Sequence, residues 1–250
     1  MTLLVLGSGT NVHPRRAAAG YLARTDQTLL LDFGPRTLSN LIKAGIDRHR
    51  IRYILFSHFH ADHFADFIPF FFDAVYYARF VGRRPPLTLI GPRGARDLFH
   101  TILATFPSFS DAPFRVTVRE VGERPFHLGD TRIVPRTVQH SARLHCLGYR
   151  LEYRGKALAY SGDAQYGESL VRLCDGADVA VLDCSFPANR PGPGHMHAEE
   201  CGLVAQQAAV GRAILSHFYP VAERFDVRAQ AARRYRGRIT LARDLLSVSL

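Results

Sequence analysis

The sequence predicts an α+β protein in which sheets are sandwiched by outer helices. Three observations carry this. Apolar, strand-like runs alternate with helix-like segments in both halves of the 250-residue chain. No short-period repeat breaks that order. Several of the strand-like runs end in a His or Asp, as strands do when their tips hold chemistry.

Taken in order, periodicity predicts strands at residues 2–6, 20–24, 28–33 and 52–57, with a helix at 36–45. Pro35 fits the first turn of that helix and Gly45 its end. The stretch 64–80 has helical charge spacing and is crowded with Phe67, Phe70, Phe71, Phe72, Tyr76 and Tyr77; Pro69 is expected to break or bend it. Most of these rings suit core packing, and the stretch also sits where it can wall a cleft with apolar surface. A strand at 87–91 leads through Gly91 and Pro92 into a helix at 93–105. Residues 114–160 are strand-rich, turning at Gly129-Asp130 and Arg154-Gly155. A helix at 165–174, a strand at 178–183, a helix at 198–210, a strand at 212–216, a helix at 223–235 and a strand at 238–242 complete the chain. The one Gly/Pro-dense loop, Pro187 to Gly194, runs directly into His195-Met196-His197, and a stiff irregular loop ending in histidines reads as the wall of a site. The segment Gly7-Ser8-Gly9-Thr10 lacks the Lys and the spacing of a phosphate-binding loop and reads as a tight turn.

Composition narrows the class. At 47% apolar and 22% charged residues the chain is an ordinary soluble globular protein. No apolar run approaches the roughly 18 residues of a membrane span. The start enters a strand with no basic region or cleavage site, so a cytoplasmic protein forming one domain over residues 1–250 is expected, without a membrane partner. Cys146, Cys174, Cys184 and Cys201 form no C-x-x-C pair, which suits free structural thiols. The net charge of +10 admits a nucleic-acid or other anionic partner. Its detail fits that partner less well, because the cations are almost all Arg and are spread along the chain, with local clusters at 48–52, 79–84 and 233–238.

The run Ser57-His58-Phe59-His60-Ala61-Asp62-His63 packs three imidazoles and a carboxylate into six positions after an apolar strand. Imidazole nitrogen and carboxylate oxygen suit zinc and its first-row neighbours, and a rigid strand end fixes such ligands well. One short run cannot complete a two-metal site, so further ligands are expected at other strand tips. His140 after the strand 131–139, Asp163 after 157–161 and His217 after 213–216 are in that position. His13, His49, His100, His127 and His145 lack partners at metal spacing and suit solvated or capping roles; His145 stays a pocket candidate because it is near His140.

With these residues in view the chain resembles the metallo-β-lactamase-fold hydrolases, and within them the ribonuclease Z, arylsulfatase and cyclic-phosphodiesterase branch. The resemblance covers nearly the whole length: Leu6 to Thr10, Leu31 to Gly34, the H-x-H-x-D-H run, His140, Tyr160 to Asp163, Asp183 to Phe186, His195 to Glu200 and Ser216 to Pro220. It implies a four-layer αββα sandwich with a dinuclear metal site at the sheet edges. It also implies that His58, His60 and His140 hold one zinc, that Asp62, His63 and His217 hold the second, and that Asp163 bridges the two; manganese or iron are alternatives. Asp32 is implied as a tie beneath the site and not as a ligand. Two such ions can share and acidify one water as nucleophile, with Asp62 both ligand and orienter. His195 resembles the histidine placed beside the leaving group, to donate a proton or to stabilise a phosphoryl oxygen. His197 stands where relatives more often carry Thr or Ser and receives no role. A homodimer is implied by analogy alone.

The leading expectation is a zinc-dependent phosphodiesterase acting on RNA 3′ ends, cyclic nucleotides or another small diester. Ribonuclease Z itself carries a protruding Gly/Pro-containing arm, and no comparable insertion lies between Ala104 and Val138, which argues against transfer-RNA maturation. An arylsulfatase or a lactonase-like esterase uses the same ligands on another bond. A nucleic-acid-binding protein with structural metals is the third reading, disfavoured because structural zinc sites are usually closed and cysteine-rich.

Overall fold

A computed structural model describes residues 1–250. In the first half, β1 (Thr2–Gly7), β2 (Gly20–Arg24) and β3 (Thr28–Leu31) form an antiparallel meander, and β4 (Tyr53–Leu55), β5 (Leu87–Gly91) and β6 (Val116–Glu120) extend it in parallel. The crossovers run through α1 (Thr37–Lys43), the single turn α2 (Ala61–Phe64), α3 (Phe67–Phe80) and α4 (Ala95–Thr105). The second half repeats the scheme. Strands β7 (Phe126–Leu128), β8 (Thr131–Thr137), β9 (Leu147–Tyr153) and β10 (Lys156–Tyr160) are antiparallel neighbours. They are continued in parallel by β11 (Val179–Asp183), β12 (Arg212–Ser216) and β13 (Arg238–Leu241), with α5 (Glu168–Cys174), α6 (Ala198–Gln207) and α7 (Val227–Ala232) as crossovers. Finally β14 (Ser247–Ser249) returns to pair antiparallel with β1. The result is two seven-stranded sheets, β14-β1-β2-β3-β4-β5-β6 and β13-β12-β11-β10-β9-β8-β7.

Period-two alternation explains why the sheets stack between helices. Leu3, Val5, Tyr21, Leu29, Leu31, Leu55 and Ile90 of the first sheet join one core with Ile133, Leu151, Leu158 and Tyr160 of the second. Their immediate neighbours Leu6, Leu22, Leu30, Ile54 and Leu89 face the other way, into a second core with Leu41, Phe67, Phe70, Phe71 and Ile102 of the helices. A sheet buried on both faces needs near-continuous apolar strands, and these strands are such. Helices α5, α6 and α7 cover the second sheet, giving the four layers the resemblance implies.

Several boundaries differ from expectation, each for a local reason. Pro69 does not bend α3. The break falls earlier, at Ala65 and Asp66, and Pro69 is the third residue of α3, where its missing N–H is one of the helix-start donors that have no intrahelical partner anyway. Helix α1 starts at Thr37, so Pro35 precedes it instead of occupying its first turn. The strand expected over 131–139 ends at Thr137, leaving His140 beyond the ladder. The expected helix 223–235 is a 3₁₀ turn, Ala222–Arg224, followed by α7, which Asp226 caps by accepting the Ala229 N–H. Strand β14 lies beyond the last strand that periodicity predicts. The four cysteines are free and buried. No helix is long and apolar enough to cross a membrane.

Candidate metal centre

The parallel strands of both sheets point their C-terminal ends toward one edge, where loops carry the polar residues that open α/β sheets place at such crevices. Cross-sheet hydrogen bonds hold that edge together. Leu147 N–H donates to Ser57 O (2.9 Å), Phe218 N–H to Ser8 O (3.0 Å) and Tyr149 Oη–H to Phe56 O (2.8 Å).

Beneath the centre lies Asp32, wholly buried and in the left-handed region at φ 54°, just past the end of β3. Its carboxylate accepts from Ser57 N–H (2.7 Å), Ser57 Oγ–H (2.6 Å), the Tyr160 hydroxyl and His63 Nδ1–H (2.7 Å). A buried carboxylate is tolerated only with such a set of donors. It fixes the turn after β4. That turn then lies against Gly34, where an added Cβ would come within 1.8 Å of the Asp62 carbonyl oxygen, so the close approach requires glycine.

Two groups of donor atoms face each other across Asp163. In the first, His60 Nδ1 lies 3.0 Å from His58 Nε2 and 3.1 Å from His140 Nε2. The far nitrogens of two of these rings are engaged: His58 Nδ1 with Ser57 Oγ at 3.0 Å and His140 Nδ1 with Gly194 O at 2.6 Å. In the second, His63 Nε2 is 3.1 Å and His217 Nε2 3.3 Å from Asp163 Oδ1, and His217 Nε2 is 3.5 Å from Asp62 Oδ2. His217 sits at φ 60°, with its Nδ1 3.0 Å from Ser185 Oγ. Asp163 divides its oxygens. Oδ1 faces the second group, and Oδ2 is 3.7 Å from both His58 Nε2 and His140 Nε2.

These residues fit metal ions. His63 Nε2, His217 Nε2 and Asp163 Oδ1 are buried and have no hydrogen-bond partner in the chain. Unpartnered buried polar atoms are rare, and three converging ones mark a place for a cation. Ordering the far nitrogen of a ring, as is done here for His58, His140, His63 and His217, is how supporting residues prepare imidazole ligands. Charge agrees. Burial and the neighbouring imidazoles push His58 well below its usual range, keeping it neutral. Burial pushes Asp163 upward, yet His217, His63 and His58 together hold it well below the carboxylate range.

The remaining expected residues separate cleanly. His195 Nδ1 lies 2.8 Å from Asp183 Oδ2, and its ring stacks against His217 with centroids 5.5 Å apart. Asp183 also accepts from Ala164 N–H (3.0 Å) and Ser185 Oγ–H (2.6 Å), so its lone pairs are spent on positioning. Although Asp163, Asp183, His195 and His217 bring donor atoms within 4.8 Å, the His195–Asp183 hydrogen bond marks a dyad beside the centre and not a third ligand set. His197 is a helix cap: its Nδ1 accepts the Glu200 N–H while Glu200 accepts the His197 N–H, a capping box at the start of α6. His13, Nδ1 accepting from the Arg15 and Arg16 N–H groups, and His49, stacked on Tyr77 at 3.7 Å, stand apart from the centre. Asp183 and Ser185 are the residues that ligand-seeking sequence reasoning missed; Asp183 ends an apolar strand as a ligand would.

Comparison with known proteins agrees with this geometry. Residues 28–218 match the model of the Beta-lactamase superfamily domain. "Uncharacterized protein ML1173" of Mycobacterium leprae is 34% identical over 94% of this chain and 84% of its own. The Ribonuclease Z of Mycolicibacterium paratuberculosis is 28% identical over 98% of this chain and 97% of its own. Among solved structures, the metallo-β-lactamase-fold protein YhfI of Bacillus subtilis superposes with a TM-score of 0.85 at 24% identity, covering 99% of this chain and 98% of that one.

Proposed function

The chain belongs to the Beta-lactamase superfamily and is a metal-dependent hydrolase, and from that premise we propose that it is a two-metal phosphodiesterase. The observation that carries this is the division of Asp163 between two groups of imidazole nitrogens, with the Asp183–His195 dyad beside them. His58, His60, His140 and Asp163 Oδ2 would hold one ion; Asp62, His63, His217 and Asp163 Oδ1 the other. Zinc suits this His/Asp set, and manganese or iron are accepted by the same donors. A bound pair supplies Lewis-acid charge and acidifies water. Asp62, at the edge of the second group, orients the attacking water. With its Nδ1–H held by Asp183, His195 presents Nε2, which has no partner in the chain, to the leaving oxygen and gives it a proton.

A phosphodiester is favoured over a sulfate ester or a lactone by two features: the net charge is +10, and the likeness to a ribonuclease Z extends over nearly the whole length. Metal analysis and turnover of an aryl phosphodiester, a cyclic nucleotide, an aryl sulfate and a lactone, beside His63→Ala, test the reading. Diester hydrolysis with about two ions per chain, lost in His63→Ala, supports it; turnover of the lactone or sulfate alone sinks it.

A further inference from the structure

Beside the first group of histidines runs a groove of about 610 Å³ between α4 and the loop after His140. The two places where it adjoins the centre are set by the chain itself. Phe59, between His58 and His60, lines it, and its far wall begins two residues after His140. The Phe59 ring is held in place: its Cζ would be 3.0 Å from a Cβ on Gly91, and Phe56 lies behind it with centroids 5.9 Å apart. Leu98 extends this apolar surface.

The same groove is lined by Arg93, just before α4, and by Arg143, in the loop after His140, both exposed, with His145 alongside. Neither guanidinium makes an ion pair or a side-chain hydrogen bond with the rest of the chain, and the groove's single carboxylate, Asp97, pairs with neither. The start of α4 offers no competing anion site, because Glu120 already accepts the Gly94 N–H at 2.9 Å and the Arg96 N–H at 3.3 Å. Anion recognition here therefore falls to the two arginine forks, whose geometry matches phosphate. The volume is that of a small-ligand site, and a fixed aromatic ring beside two free guanidiniums suits a flat base with an attached phosphate.

We propose that this groove is a specificity subsite that holds one nucleotide unit of the substrate, with Phe59 under the base and Arg93 and Arg143 on a second phosphate that is not the one cleaved. The assignment rests on the phosphodiesterase reading and narrows it to nucleotide substrates bearing an additional phosphate. It draws together residues 59, 93 and 143, which no sequence motif links.

The test uses the metal-loaded enzyme and two substrates with the same scissile bond: the p-nitrophenyl ester of thymidine 5′-phosphate, with and without a 3′-phosphate. Wild type should favour the 3′-phosphorylated ester by tenfold or more in kcat/KM. R93A/R143A should abolish that preference while keeping kcat/KM for bis(p-nitrophenyl) phosphate within twofold of wild type. A preference that survives in the double variant, or a parallel loss on both esters, overturns the subsite. Calorimetric binding of thymidine 3′,5′-bisphosphate reads the groove independently of turnover and should weaken tenfold or more in R93A/R143A. Unchanged binding overturns the subsite as well. If the bisphosphate binds in an arginine-dependent way while no diester is cleaved, the groove stands and the phosphodiesterase reading falls. A 3′-phosphorylated tetranucleotide run alongside tells a chain end from a free nucleotide, and arginine-dependent binding of either supports the subsite.

Discussion

His195 is held by a hydrogen bond to a carboxylate that no metal group needs, and this separates its role from that of the histidines around it. Replacing it with Ala is expected to lower kcat by about 10²–10⁴-fold with metal content unchanged. The loss should be largest for esters with alkoxide leaving groups and smallest for p-nitrophenyl esters, whose leaving oxygen needs no proton. Asp183→Asn, which keeps the shape but weakens the anchor, should follow the same leaving-group pattern with KM little altered. An equal loss across leaving groups would assign both residues to structure. At this scale the sequence was informative wherever donors crowd together: His58 to His63 is legible because four donor residues share six positions. His140, Asp163 and His217 were legible as polar residues following apolar strands. Asp183 shows the same signal and serves another purpose, because which acceptor a buried carboxylate meets depends on loops far away in sequence, here the one carrying His195. Asp32 and His217 show a further limit. Their positive φ, costing about 1–2 kcal/mol each, is imposed by tertiary contacts and leaves no mark in the sequence.

Between elements, the two sheets are tied at the end away from the metal centre by Asp26, in the turn between β2 and β3. It accepts the Asp130 N–H at 2.9 Å, from the turn between β7 and β8, and the Thr131 hydroxyl at 2.9 Å, from the first residue of β8. Burial works against ionisation, yet bonds from Gln27, Asp130 and Thr131 bring its carboxyl down from 3.8 to about 2. A carboxyl with a depressed folded value contributes stability that is complete above its unfolded value and is lost as pH falls through the folded one. The Asp26 contribution should therefore be full above about pH 4 and vanish between there and about pH 2. Because the side chain is exposed, solvent keeps the effect small. Asp26→Ala is expected to cost about 1 kcal/mol and to lower Tm by roughly 2–4 °C at neutral pH, and the gap from wild type should close in acid melts. A gap that persists at low pH would assign the effect to the turn backbone and not to the carboxylate. Strand and helix positions were mostly legible because apolar periodicity dominates both sheets. β14 was not, since Ser247–Ser249 is short and polar outside Val248 and becomes a strand only because β1 offers it an edge.

For the whole molecule, the centre joins loops from both halves, so metal binding and folding are linked. Zinc at about 100 times its dissociation constant should add about 2.7 kcal/mol, raising Tm by roughly 5–10 °C in scanning calorimetry against a chelated control. Asp163→Ala, which removes the residue facing both donor groups, should abolish most of that rise. A chelator that leaves Tm unmoved would refute the linkage. The four-layer architecture was legible in the order of elements, but the substrate was not. The residues proposed to select it, Phe59, Arg93 and Arg143, line one groove only because α4 and the loop after His140 flank it.

The return of β14 to β1 has a consequence for synthesis on the ribosome. The first sheet takes six strands from the opening 120 residues, yet its β1 edge is closed by residues 247–249. The same terminal region brings Asp244 back, where its carboxylate accepts the Ser8 N–H at 3.0 Å and the Ala17 N–H at 2.8 Å. A nascent chain therefore carries an open, pairing-competent strand edge until residues 247–249 have emerged, long after the other six strands of that sheet.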